Sequence, residues 1–224
     1  MRLLLLLLRP IYYLLYHQFA WAYDFIASLV SLGQWQDWVR TTLPYLDGRV
    51  LEIGFGPGHL QMEMETHGLH PFGVDESRFM ARQASRRLKK AGMEPHLARG
   101  LAQALPYPSG AFDTVAATFP AEYIFDPRTL DEVQRVLTPG GKFILLPMAW
   151  ITGLRPLERF VAWLMRLSGE VPGEPGHLLP VVRERFAAAG FDVRKETVDL
   201  PRSRVLVIVA TKNIVAEIAS LRSQ

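Results

Sequence analysis

Cysteine is absent from the 224 residues, which excludes disulfides, thiolate metal sites, iron–sulfur ligation and cysteine nucleophiles together. Chemistry in this chain must come from oxygen, nitrogen or a bound cofactor. Charge of one sign is scarce as well. Twenty-five Lys and Arg against 22 Asp and Glu leave a net +3 and a pI near 9.3, a mild basic bias and not the charge pattern of a nucleic-acid-binding protein. No apolar run reaches the roughly 20 residues of a membrane span. The leucines at 3–8 open like a secretory leader, and Ala20-Trp21-Ala22 imitates a cleavage site, but Arg9-Pro10 cuts the run too early. His67 and His70 lack metal-ligand spacing to any partner, so no metal site is expected. The 49% of hydrophobic residues can fill one compact domain with at most a small appendage.

From Ile11 onward, Leu14, Leu15, Phe19, Ala22, Ile26, Leu29 and Val30 recur at three- and four-residue spacing, with His17, Asp24, Ser28 and Ser31 opposite. That predicts an amphipathic helix. Tyr12, Tyr13, Tyr16, Trp21 and Tyr23 are residue types suited to a lipid headgroup boundary. Peripheral membrane contact through residues 1–30 and packing of the helix on its own domain both fit this pattern. The expected location is the cytoplasm, with or without association with a membrane surface.

Beyond the Asp47-Gly48 turn, β-rich runs alternate with helix-length segments, which predicts a parallel sheet covered by helices. Strands are expected at 49–54, 72–74, 95–99, 112–118, 142–147, 191–200 and 204–212. Helices are expected at 59–66, 77–91, 126–136, 154–167 and 178–189, with Pro139-Gly140-Gly141, Gly169 and Gly190 ending the last three. The division is an amphipathic extension or substrate cap over 1–47, an α/β domain over 48–212 and a tail over 213–224. Within the domain, 149–177 is long for a connection and reads as a lid insertion.

The sharpest local signal is Val50-Leu51-Glu52-Ile53-Gly54-Phe55-Gly56-Pro57-Gly58, a hydrophobic strand running into glycines and then a helix. Such a turn brings backbone close to a ligand. Asp75, 21 residues beyond Gly54, ends the next strand, where a carboxylate can accept from both hydroxyls of a ribose. The spacing is GxGxG, not the GxGxxG of dinucleotide folds, which argues against a nicotinamide-dependent oxidoreductase.

Four blocks then carry a resemblance to the class I S-adenosylmethionine-dependent methyltransferases. They are 50–60; Gly73-Val74-Asp75-Glu76-Ser77 with Met80 and Ala81; 100–115; and 130–145, containing Arg135-Val136-Leu137-Thr138-Pro139-Gly140-Gly141-Lys142. The resemblance implies a Rossmann-like seven-stranded, mostly parallel α/β sheet, with an antiparallel last hairpin and helices on both faces. It implies S-adenosylmethionine as cofactor, with Glu52, Gly54, Phe55, Gly56 and Gly58 around its methionine part, Asp75 and Glu76 at the ribose, Ala102 and Gln103 at the adenine, and Thr118 with Phe119 toward the methyl group. Leu101 stands where many members carry an acid that meets the adenine amine. Tyr23-Asp24, with Trp38 near Arg40, further resembles the start of ubiquinone/menaquinone methyltransferases and their phospholipid and natural-product relatives.

Acceptor-facing groups are expected just beyond the fourth strand of an open sheet, which singles out Glu122 and Tyr123 as catalytic candidates. His177 is a further candidate base, and His59 frames the turn. A small, largely apolar acceptor such as a quinone, lipid headgroup or hydrophobic metabolite is the leading expectation. The Thr118-Phe119-Pro120 sequence lacks the Asn/Asp-Pro-Pro-aromatic signature of amine-methylating nucleic-acid enzymes, and DNA is excluded as substrate. The basic helix with Arg78, Arg82, Arg86 and Lys90 keeps RNA or protein open as a second, weaker choice. A non-catalytic cofactor-binding or membrane-surface module is the third.

Overall fold

The computed structural model describes residues 31–153, 155–156 and 178–213. The expected N-terminal amphipathic helix, nearly all of the 154–167 helix, the rest of the lid through His177 and the tail beyond residue 213 lie outside the described residues.

Seven strands form one sheet: β1 (Val50–Ile53), β2 (Phe72–Asp75), β3 (His96–Arg99), β4 (Phe112–Thr118), β5 (Leu137–Ile151), β6 (Phe191–Leu200) and β7 (Ser203–Lys212), in the order β3-β2-β1-β4-β5-β7-β6. The first five are parallel, and β7 runs antiparallel to both β5 and β6. Among the described residues the helices are α1 (Trp35–Arg40), α2 (His59–Thr66), α3 (Arg78–Lys90), α4 (Pro127–Val136) and α5 (Leu178–Ala188). The chain winds outward from β1 through β2 to β3, then returns to lay β4 on the other side of β1. That reversal opens a crevice at the carboxyl ends of β1 and β4.

Strand β1 is buried at all four positions, as a parallel strand covered on both faces must be. Alternation along β4 sends Val115 and Ala117 into one apolar layer, with Phe112, Leu130, Val133, Phe143, Phe186 and Phe191, while Ala116 joins Trp38, Val39, Leu60, Met64, Ile144 and Val207 on the other. Caps set the helix starts. Ser77 Oγ accepts from Met80 N–H, and the Asp126 carboxylate accepts from Arg128 N–H ahead of Pro127. Residues 31–47 pack on the domain, and Trp38 Nε1–H donates to Ser203 Oγ at 2.7 Å. No described helix is long and apolar enough to cross a membrane.

Strand β5 departs most from expectation, with 15 residues in place of 142–147. It begins directly after α4, so Pro139-Gly140-Gly141 lies within the strand. The extra residues are taken up by a register shift between Phe112 and Thr114 of β4, and Gly140 sits at φ +74°, a bulge that glycine permits. At its far end Ala149, Trp150 and Ile151 pair with Val205, Arg204 and Ser203. These three residues, read from sequence as the start of the lid insertion, belong to the sheet because β7 is long enough to hold them in register.

Phe186 is fully buried and stacks on Phe143 at 5.9 Å with rings inclined by 10°. Phe186→Ala is expected to lower unfolding free energy by about 3–5 kcal/mol. Urea titration checks it, with the midpoint falling and the slope unchanged.

Candidate functional site

After Ile53 the backbone turns through Gly54, Gly56 and Gly58 into α2. Gly54 lies at φ +70°, and a Cβ there would sit 2.3 Å from Tyr123 Oη, so only glycine lets that hydroxyl approach. Gly56, at φ +51°, has no atom within 4 Å of where its Cβ would be. Its backbone faces open space, a cradle that a side chain would fill. The turn is held by Gly54 N–H donating to Val74 O at 2.7 Å, by Gly58 N–H donating to Phe55 O at 2.9 Å, and by the Arg87 guanidinium donating to Pro57 O.

Two carboxylates stand behind this turn. Asp75, at the end of β2 and 3% exposed, accepts Gly56 N–H on Oδ2 at 2.9 Å and Ser77 N–H on Oδ1 at 2.7 Å. A carboxylate offers about four lone-pair directions, so these bonds leave acceptor capacity for hydroxyls of a ligand. Glu52, 1% exposed on β1, accepts from Gln61 Nε2 at 2.8 Å. Burial pushes its carboxyl up to about 8, with the Gln61 bond opposing the rise and the nearby Asp75 charge adding to it.

A cavity of about 530 Å³, counting its open mouth, lies at the carboxyl ends of β1 and β4. Glu52, Gly54, Phe55 and Gly56 line one side, with His59 and Leu60 from the start of α2. Thr118, Phe119 and Tyr123 from the end of β4, with Trp35 and Val39 of α1, line the other. Trp35 and Phe119 lie 4.3 Å apart between ring centroids, tilted by 32°, and Trp38 adds a ring 6.0 Å from Phe119. Phe119 adopts φ +47°, a conformation that costs a non-glycine residue on the order of 1–3 kcal/mol. Its N–H donates to Leu146 O at 2.7 Å, and the flanking indoles hold its ring.

The residues expected at the site fall into two groups. Glu52, Gly54, Phe55, Gly56, Thr118 and Tyr123 share the cavity, and Asp75 reaches it through Gly56. Gly58 closes the turn against Ala84. The others lie elsewhere. Glu76 is exposed, and its carbonyl accepts from Arg99 Nε. Ala102 belongs to the apolar layer, and the Gln103 amide donates to Asp126 Oδ2 at 3.4 Å. Leu101 is 52% exposed at the end of β3. Glu122 is exposed and outside the cavity lining, whereas its neighbour Tyr123 is within it. Sequence reasoning missed Trp35, Val39 and Gln61. The i, i+4 pair Trp35 and Val39 carried a signal, but Gln61 is buried beside Glu52 with only the charge it must meet to announce it.

Residues 50–141 match the family described as "Methyltransferase domain". The chain is 31% identical over 205 residues to a demethylmenaquinone methyltransferase of Thermus thermophilus, covering 81% of this chain and 93% of that protein. It is 33% identical over 133 residues to a phosphatidylethanolamine N-methyltransferase of Cereibacter sphaeroides, covering 56% of this chain and 63% of the relative. Among solved structures, the YcgJ protein of Bacillus subtilis superposes with a TM-score of 0.58 at 21% identity, over 79% of this chain and 98% of that one.

Glu52 generates a prediction about stability. With its folded value raised above the ordinary 4.5 to about 8, the folded chain keeps a proton that the unfolded chain has released, so its contribution to stability falls as pH rises through that window. Glu52→Gln should therefore raise the melting temperature relative to wild type by a margin that widens from pH 4.5 to pH 8. Equal margins at both ends would show that Glu52 ionises without penalty. The strand–glycine–helix turn, the acid at the end of β2 and the sheet order coincide with the matched sequence, and the chain belongs to the class I S-adenosylmethionine-dependent methyltransferases.

Proposed function

We propose that the methyl acceptor is a small, largely apolar molecule: a quinone, a lipid headgroup or a hydrophobic metabolite. The observation that carries this reading is the Trp35–Phe119 pair lining the cavity at the carboxyl ends of β1 and β4, backed by the buried Trp38. Flat apolar rings gain from leaving water against such a wall. Two relatives at about one-third identity are named for a quinone and a phospholipid substrate, which supports the same class. A cytoplasmic enzyme meeting a lipid surface through residues 1–30 would reach such acceptors directly.

In this reading Glu52 and the backbone of Gly54 and Gly56 hold the methionine part of S-adenosylmethionine, with Phe55 and Gly58 shaping the turn. Asp75 and Glu76 hold the ribose, and the segment with Ala102 and Gln103 meets the adenine. The cofactor supplies a methyl group on a sulfonium, which leaves by in-line displacement. The protein's task is then to orient and to exclude water, and orientation alone can supply about 7–11 kcal/mol. Thr118 and Phe119 border the acceptor. Of the two catalytic candidates, Tyr123 presents its hydroxyl beside Gly54 and is the one assigned to acceptor positioning, while Glu122 would act only on an acceptor reaching beyond the cavity.

Two measurements test the reading. Asp75→Asn replaces one carboxylate oxygen by an amide that faces a backbone N–H, and hydrogen bonds to a charged group are worth roughly 1.5–3 kcal/mol. It should weaken S-adenosylhomocysteine binding in calorimetric titration by at least about tenfold on that scale. Labelled methyl from S-adenosylmethionine should enter the organic-soluble fraction when the enzyme is incubated with quinones or lipid extracts. Label found only in RNA or protein would overturn the acceptor class, and tight cofactor binding without transfer to any fraction would leave a binding module.

A further inference from the structure

Helix α3 turns an unusual face to solvent. Met80, Ala84 and Leu88 are its buried residues. At 100° per residue, its exposed positions Arg78, Phe79, Arg82, Arg86, Lys89 and Lys90 fall within an arc of about 120°. Five are cations, the helix contains no acid, and none of the five makes an ion pair with another described residue. The exposed acids nearest to it in sequence, Glu76 and Glu94, lie beyond its two ends.

The same edge of the molecule carries exposed apolar side chains. Phe79 and Leu101, 48% and 52% exposed, are the large hydrophobics that the described surface leaves open. They come from different elements but to one rim. Asp75 pairs with Arg99 in the sheet, and Gly100 N–H donates to Asp75 O at 3.1 Å, so Leu101 emerges at the carboxyl edge from which α3 starts. The exposed Arg99 stands between them.

An exposed phenylalanine gains free energy by leaving water, and guanidinium groups recognise phosphate oxygens bidentately. A bilayer surface bearing anionic headgroups satisfies both demands at once. RNA would meet the cations, but Phe79 is the one exposed aromatic of the described surface, and a single ring makes no platform for successive bases. We propose that the exposed face of α3, with Phe79 at its tip, docks the enzyme on anionic lipid bilayers, while Leu101 stays with the segment assigned to the adenine. None of the residues of this face belongs to 1–30, and the proposal does not depend on the identity of the acceptor.

The test is co-sedimentation of the full chain with vesicles of phosphatidylcholine, alone or mixed with phosphatidylglycerol, at low and high salt. Binding should require phosphatidylglycerol and weaken with salt. Replacing Arg82, Arg86 and Lys89 together by Gln should weaken it by about a hundredfold, at the usual worth of a cation near an anionic surface. Phe79→Ser should weaken binding at both salt concentrations while the salt dependence stays as in wild type. Unchanged melting temperatures establish that the variants fold, and Lys90→Gln alone serves as a milder version. The proposal is overturned by equal binding to neutral vesicles, by no vesicle binding, or by variants that bind like wild type, which would move the contact to another surface. Salt-sensitive binding of poly(U) without vesicle binding would instead make this an RNA surface.

Discussion

The Asp75 carboxylate is the joint on which the site depends. One oxygen takes the Gly56 N–H and the other the Ser77 N–H, so a single side chain fixes the glycine turn after β1, the end of β2 and the start of α3. Neither amide has another use at that point. Gly56 belongs to a turn without ladder bonds, and Ser77 caps a helix whose first N–H groups lack partners within it. Because the carboxyl is shielded from water, these two bonds meet no competition from solvent. The acid that serves a ligand is therefore also the acid that builds its cradle.

Glu52 and Asp75 show how one sheet edge gives two carboxyl groups different surroundings. Asp75 receives two backbone donors, whereas Glu52 receives only the Gln61 amide inside the apolar interior. For Glu52 the result is a carboxyl that burial pushes up to about 8, so that it keeps its proton near neutrality. A cationic ligand group entering beside Glu52 would draw that proton off, so ligand charge and site charge change together.

The sheet was largely legible in the sequence because the alternation of apolar runs with helix-length segments leaves few topologies. The turn was legible because its glycines and Asp75 are forced by backbone geometry and acceptor chemistry. What escaped depends on contacts distant in sequence. The Pro-Gly-Gly segment reads as a helix stop, and it does follow one, but only pairing with β4 on either side of it makes it a bulge inside a long strand. Tyr123 and Glu122 are indistinguishable as neighbours on a loop. A short turn of 3-10 helix over Glu122–Phe125 points one inward and the other out. The aromatic wall joins Trp35 to Phe119 across more than a third of the chain, a distance over which periodicity carries no information.

The antiparallel hairpin that completes the sheet has a consequence for biogenesis. Strand β5 sits inside the sheet only because β7 covers it, and that pairing runs from Ser203 through Thr211. During synthesis β5 emerges long before its partner, with β1 and β4 already available on its other side. Until the last strand leaves the ribosome, a long apolar edge stands open to any other strand. The nascent chain thus passes through a stage in which most of its core can assemble but its aggregation-prone edge cannot yet close.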